Sequence, residues 1–271
     1  MGVMTERHAQ PGQPAQPSQN ASPSARRIEG RGTPDGDWQA WPGLAELPDI
    51  TAGELVAAHR RAVIVAPHPD DEVLACGGLL QLLHAQGTRC VLLAVTDGDA
   101  SHPDSTRHTP ADLTRLRPME TAAALHTLGV APQVLRARIR DGQVSANLEQ
   151  LHNLLLQLLR PDDVVFTTWR QDGHPDHEAC GLAASLAVRS CRATLVEMPV
   201  WSWHWSEPGD QRLPWQRARR LALSPDVLQR KQQAITSFQT QLHDDPSTGR
   251  QAILPPYVLE RLLHPYEIYF T

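Results

Sequence analysis

Cysteine is scarce: only Cys76, Cys90, Cys180 and Cys191 occur in 271 residues, and no pair has C-x-x-C spacing. That excludes a disulfide-stapled scaffold and a cysteine zinc knuckle, and predicts reduced, mostly buried thiols. Long apolar runs are also missing. Nothing approaches the ~20 residues needed to cross a bilayer, and the N-terminal stretch has no apolar core of the signal-peptide kind. The expected localisation is therefore cytoplasmic, with no transmembrane segment. Runs of Lys and Arg are absent and the formal charge is −5, which leaves no electrostatic footprint for a nucleic-acid partner. No repeat of solenoid length is visible. Neither G-x-G-x-x-G nor a Walker loop follows a predicted strand, so nucleotide binding of those kinds is excluded.

What is present suits one good core. The chain is 41% hydrophobic, and its length fits a single large domain. Residues 1–36 are rich in Pro, Gln, Ser and Gly and poor in large apolar residues, so they are expected to form a disordered tail. Residues 37–271 are expected to form one α/β domain. From about residue 50 two periods alternate. Short apolar, β-branched runs at 62–67, 90–98, 162–169 and 193–201 read as strands buried on both faces. Helical stretches fall between them at 72–86, 111–129 closed by Gly129, 146–160 stopped by Pro161, and 177–191. Alternation of this kind predicts a doubly wound, mostly parallel, Rossmann-like sheet with helices on both faces. Ligands of such sheets sit beyond the carboxyl ends of the strands, where strand order switches.

Two polar clusters lie at those ends. "AVIVAPHPDDE" places His68, Asp70, Asp71 and Glu72 after the first strand, and "DDVVFTTWRQDGHPDHE" places His174, Asp176 and His177 after the third. Pro69 predicts an extended His68 followed by a helical turn that starts at Pro69. Acids in a first turn also have a plain reading, complementing the helix N-terminus for about 0.3–1 kcal/mol each. The chain contains its own control in His102-Pro103-Asp104, the same tripeptide in a Ser/Thr/Pro-rich loop, so "HPD" alone carries little. The pairing of two clusters at two strand ends carries more. Two imidazoles and one carboxylate form a common catalytic zinc set with a fourth position open to water.

"PHPDDE" (67–72) together with "GHPDHE" (173–178) resembles the LmbE/PIG-L zinc-dependent N-deacetylases. "TDG" (96–98), Arg117 with Glu120, "LG" (128–129), "DG" (141–142) and "KQQAITSFQTQ" (231–241) are similar to further family blocks in the same order, so the likeness spans about residues 60–243. It implies an enzyme that removes the N-acetyl group of an N-acetylglucosamine-like conjugate. It implies His68, Asp71 and His177 as ligands of Zn2+ or another divalent metal, and Asp70 as general base. The small-molecule partner it implies is an N-acetylated sugar conjugate, and assembly as a homo-oligomer is left open.

Amide hydrolysis fits those roles, since it needs an activated water, a proton acceptor and positive charge or donors at the developing oxyanion. His174, if protonated, would serve the oxyanion and the leaving amine, with Asp176 orienting it. Glu72 reads either as helix-terminus support or as support for the metal site. The resemblance makes Arg117 and Asp141 candidate substrate contacts, against the plain readings of a surface Arg and a turn-forming Asp-Gly. Asp172 stands where some relatives carry a Tyr, which puts any role of such a Tyr in doubt. "PVWSWHWSEP" (199–208), read as extended, would set Trp201, Trp203 and Trp205 on one side, as core or as a sugar platform. A metal-dependent amidase acting on a non-sugar substrate, and a noncatalytic metal- or sugar-binding relative, are the alternatives.

Overall fold

The computed structural model describes residues 26–271, so residues 1–25 of the expected tail lie outside the described residues. Seven strands form one sheet: β1 (Ala62–Ala66), β2 (Cys90–Thr96), β3 (Gln133–Ile139), β4 (Val164–Thr168), β5 (Thr194–Met198), β6 (Ala218–Ala222) and β7 (Tyr266–Phe270). Their order is β3-β2-β1-β4-β5-β7-β6. The first five run parallel, and β7 and β6 close one edge antiparallel. The doubly wound, mostly parallel sheet expected from the sequence is the observed fold.

The two faces follow from the pleat. Ile64, Leu92, Phe166 and Val196 point into one core. Val63, Val65, Val91, Leu93 and Val165 point into the other, where Ala183, Ala184 and Ala187 let the helix Pro175–Cys191 approach closely. β1 is buried along its whole length, as a central parallel strand must be. From β1 the chain winds toward β2 and β3, and it returns to β4 on the other side, so the switch point lies between β1 and β4. The crevice beyond their carboxyl ends is where both polar clusters emerge.

The helix Pro110–Leu128 shows how local chemistry shapes this frame. Thr109 caps it by accepting from the Asp112 N–H, Pro110 opens it, and Gly129 closes it in the left-handed region. Pro118 inside it lacks an N–H, and the carbonyl of Thr114 four residues earlier is taken by the Arg136 guanidinium at 3.3 Å.

Several expectations shift. The helix expected over 72–86 is two pieces, Asp71–Leu74 and Gly77–Ala85. The second begins anew because the Glu267 carboxylate accepts from the N–H groups of Gly78 and Leu79, supplying the anion that a helix N-terminus favours. Pro69 does not open the first piece, which starts at Asp71. β3, β6 and β7 were not anticipated: β3 and β6 lie near or at sheet edges and carry arginines, so they lack the continuous apolar run that marks the central strands.

The tail boundary at 36 also moves. Residues 29–33 dock on the body through polar contacts that a hydrophobicity argument does not see. The Thr33 N–H donates to the His204 carbonyl, and Arg261 donates to the carbonyls of Arg31 and Thr33. His204 Nε2 donates to the Glu29 carbonyl at 3.0 Å. The helix Asp35–Ala40 follows directly, with Trp38 in the core.

Candidate metal centre and active site

β1 ends at Ala66 and hands the chain to Pro67, whose carbonyl accepts from the Thr96 N–H and hydroxyl. This fixes the following turn. Asp70 sits there at φ 132°, a conformation that side chains other than glycine rarely adopt. The Glu72 carboxylate holds it by accepting from the Asp70 N–H at 3.1 Å. Glu72 therefore braces the backbone of Asp70, and burial pushes its own carboxyl up to about 7.

The second cluster is carried by the loop after β4 and the helix Pro175–Cys191. Gly173 is needed there: its φ is 100°, and a Cβ would stand 2.7 Å from Trp205 Nε1. His174 caps the helix, its Nδ1 accepting from the Asp176 N–H at 3.2 Å.

The clusters meet on one atom. His68 Nδ1 and His177 Nε2 each lie 3.3 Å from Asp71 Oδ2. The outward nitrogen of each imidazole is held by carboxylates. His177 Nδ1 is 2.9 Å from Asp172 Oδ2, and His68 Nε2 is 3.2 Å from Asp141 Oδ1 and 3.3 Å from Asp176 Oδ2. Outer carboxylates of this kind fix imidazole tautomers and orient metal-ligating histidines. Buried His177 Nε2 makes no hydrogen bond although it faces Asp71 Oδ2, and a cation between the two atoms would satisfy both. Among the described residues, one nitrogen each of His68, His174 and His177 also lie within 4.8 Å of one another, as do donor atoms of His68, Asp141 and Asp176.

The charges agree. Asp70, Asp71, Asp141, Asp172 and Asp176 are buried or nearly so around these histidines, and Arg117 is the permanent cation among them. Such an excess of buried acid is costly unless a cation offsets it. Burial works against ionising Asp71, yet His177 and His68 hold its carboxyl well below the ordinary range. Burial likewise opposes charge on His177, but Asp71 and Asp172 raise it to about 9. The donor set therefore fits a divalent metal ion.

The remaining sequence candidates take definite places. Arg117 is neither at the surface nor free: it is 2% exposed and donates to Asp70 Oδ2 at 3.0 Å and to the Pro69 carbonyl at 2.7 Å. Gly98 makes room for it, since a Cβ there would lie 2.0 Å from Arg117 Nη1. Asp141 serves His68, and its Oδ2 accepts from the Ala100 N–H. Burial opposes its ionisation, but the His68 hydrogen bond and charge bring its carboxyl down to about 2. The Asp176 carboxylate does not orient His174. It accepts from the N–H groups of Gly142 and Val144 and touches His68, while its own N–H fixes His174. Protonated His174 is not favoured either: burial, then His177 and His68, push it down to about 3.

Asp172 is the residue that sequence reasoning undervalued. Fully buried, it accepts from the N–H groups of Val200, Trp201 and Ser202 as well as meeting His177. Its signal was an acid between a core strand and a histidine motif.

The tryptophan stretch is not extended. Ser202–Trp205 is a helical turn, so the three rings diverge. Trp203 packs edge-on against Trp38 in the core, and Trp205 lies parallel to Trp169 and donates to the Asp172 carbonyl. Trp201 alone of the three borders a cavity of ≈ 380 Å³ that His68, Asp70, Asp71, His174 and His177 also line. Arg117, Asp141, Ser101 and Gln241 face the same cavity. Among the described residues no helix is long and apolar enough to cross a membrane.

Residues 63–188 match the family model described as PIG-L: GlcNAc-PI de-N-acetylase. Among solved structures, N,N'-diacetylchitobiose deacetylase from Pyrococcus horikoshii has a TM-score of 0.54 at 20% identity, over 69% of this chain and 72% of that one. The zinc-inhibited form of teicoplanin deacetylase Orf2 has 0.54 at 21%, over 67% and 84%. The A40926 pseudoaglycone deacetylase Dbv21 has 0.51 at 25%, over 67% and 82%. No curated protein sequence matches the chain.

Proposed function

We propose that this chain, which carries a PIG-L family domain over residues 63–188, is a zinc-dependent hydrolase that removes the N-acetyl group of an amino-sugar conjugate. The observation that carries the reading is the convergence of His68 Nδ1 and His177 Nε2 on Asp71 Oδ2, with carboxylates behind both rings. His68, Asp71 and His177 would hold the ion, a nitrogen–oxygen set that suits zinc. His174 stays outside this set because its Nδ1 is committed to the Asp176 N–H. Bound there, the ion supplies Lewis acidity, polarising the amide carbonyl and acidifying water.

The chain's own residues do the rest. Asp70 is the general base: burial raises its carboxyl, and Arg117 keeps it from rising further. Its strained backbone and the Arg117 contact fix its direction. After accepting the water proton, Asp70 carries it to the leaving amine. His174, neutral and hydrogen-bonded at Nδ1, bears its proton on Nε2, which donates to the oxyanion. This replaces the imidazolium expected from the sequence with a neutral donor. Asp141 and Asp176 orient His68, and Arg117 and Asp141 face the space that a substrate enters.

The family description names an N-acetylglucosamine substrate, and structures sharing the fold are named as deacetylases of diacetylchitobiose, teicoplanin and the A40926 pseudoaglycone. The same reading takes the docked segment 29–33 and everything after it to residue 271 as one domain, working in the cytoplasm on a small molecule. The test is a screen of N-acetylglucosamine glycosides for acetate and free amine released by the zinc-loaded protein. Release from at least one glycoside is expected. Release only from N-acetylated compounds that carry no sugar would overturn the sugar assignment in favour of a general amidase, and no release from either group would overturn the hydrolase reading.

A further inference from the structure

The cavity has a polar wall that the deacetylation chemistry leaves unused. Gln241 is 1% exposed and borders the cavity, in the short helix Gln239–Leu242. Its amide orientation follows from a chain of hydrogen bonds that begins on another element. Glu120, on the helix Pro110–Leu128, accepts from the Thr240 N–H at 2.8 Å through Oε1 and from the Thr240 hydroxyl at 2.7 Å through Oε2. A carboxylate only accepts, so the single hydroxyl hydrogen of Thr240 is spent on Glu120. Thr240 Oγ1 can then only accept from Gln241, which must turn its NH2 group to it, at 2.9 Å. The side-chain oxygen of Gln241, Oε1, is left over, and no described residue donates to it. The backbone is pinned too, because the Gln241 carbonyl accepts from the Leu254 N–H.

Ser101 adds a second acceptor to the same cavity. Its Oγ lies 3.0 Å from the Gly98 carbonyl and 2.9 Å from His102 Nδ1. Donating to either spends its hydrogen and leaves a lone pair. Two neutral acceptors in a cavity whose other polar side chains are the ligand set, Asp70, His174, Arg117 and Asp141 do not suit a substrate with only apolar carbon there. A phosphate or carboxylate at that wall would meet lone pairs.

We infer that Gln241, locked by Thr240 and Glu120, selects the substrate by accepting a hydrogen bond from a hydroxyl of the amine-bearing half, so that the site takes N-acetylated amino sugars in preference to plain N-acetyl amines. The inference rests on the deacetylase reading and names what that reading recognises. Gln241 touches the substrate, and Thr240 and Glu120 are positioning residues behind it. An acceptor that serves one neutral hydroxyl is worth about five- to tenfold in affinity or rate.

The experiment is a cycle between enzyme and substrate. Acetate release from methyl N-acetyl-β-glucosaminide and from its 3-deoxy, 4-deoxy and 6-deoxy analogues is compared for the wild-type protein, Gln241→Met and Thr240→Val. In the wild-type protein one deoxy analogue should lose about five- to tenfold in kcat/KM, and that loss should vanish in Gln241→Met and shrink in Thr240→Val. Each penalty is a ratio within one variant, so incomplete folding of a variant cancels. The same cycle on dissociation constants, by calorimetry with metal-stripped protein, reads recognition without turnover. Acetate release with every deoxy penalty unchanged in both variants would overturn the role of Gln241 alone. No acetate release from any of the glycosides by the wild-type protein would overturn the deacetylase reading beneath it.

Discussion

Replacing Asp172 by Asn removes one charge from the site and changes no shape. Asp172 Oδ1 accepts from the N–H groups of Val200 at 2.9 Å and Ser202 at 3.0 Å, and Oδ2 accepts from Trp201 and lies beside His177 Nδ1, both at 2.9 Å. An amide has one accepting oxygen. Directed toward Val200 and Ser202, it keeps two bonds and turns its NH2 to Trp201 and His177. The Trp201 N–H then faces a donor, losing a charge-assisted bond worth about 1.5–3 kcal/mol. For a domain of this size that lowers Tm by about 3–12 °C. His177 must now accept at Nδ1, which moves its proton to Nε2, the atom that faces Asp71. A ligand nitrogen that carries a proton cannot coordinate. Metal affinity should fall about 10- to 100-fold, which is about 1.4–2.7 kcal/mol. Zinc titration by calorimetry into chelator-stripped protein, with the Tm of the metal-free form measured alongside, separates the two effects. Wild-type zinc affinity in a destabilised Asp172→Asn protein would refute the argument that Asp172 sets the His177 tautomer.

Other substitutions probe separate links. Asp70→Asn should retain zinc and the fold while lowering kcat by about 10²–10⁴, and loss of the metal instead would mean that Asp70 and Asp71 exchange roles. Trp203→Ala should cost about 3–5 kcal/mol of stability through the cavity it leaves beside Trp38, read by denaturant unfolding. Trp201→Ala should cost less stability than Trp203→Ala, since the ring packs only partly on the core, and should raise KM because it borders the cavity. His204 ties the segment 29–33 to the body as a neutral ring, donating to Glu29 and accepting from Arg261. Burial holds its pKa below the usual value, the Arg261 charge adds to this, and the Glu29 bond opposes it. On acidification the unfolded chain takes up that proton first, so this contribution is present above about pH 6.5 and lost below it. Tm should therefore fall less between pH 7.5 and 5 in His204→Asn than in the wild-type protein, and equal falls would refute the assignment.

The parts of the fold written in periodicity were legible. β1, β2, β4 and β5 are apolar because both their faces are covered, and such runs announce themselves. β3 carries Arg136, which serves Asp97 and the carbonyl freed by Pro118, so its sequence reads as polar. β7 hides Glu267 because that acid meets its strand neighbour Tyr269 and, far away in sequence, Lys231 and two helix N–H groups. The histidine and aspartate clusters were visible because they sit at strand ends. Their wiring was not: that Arg117 grips Asp70, that Asp176 serves His68, and that Asp172 serves His177 are facts of spatial adjacency. The tryptophan spacing misled because three alternate rings fit a strand and a helical turn equally well on paper, and the polar bonds of the turn decide between them.

The most direct test of the account follows metal content and acetate release in one sample. Stripping the protein with a chelator should abolish acetate release from an N-acetylglucosamine glycoside. About one equivalent of Zn2+ per chain should restore it in the wild-type protein, while His177→Ala should bind no zinc tightly and recover nothing. Acetate release that persists at full rate in metal-free protein, or full zinc binding by His177→Ala, would contradict the claim that the clusters after β1 and β4 form one metal-dependent deacetylase site.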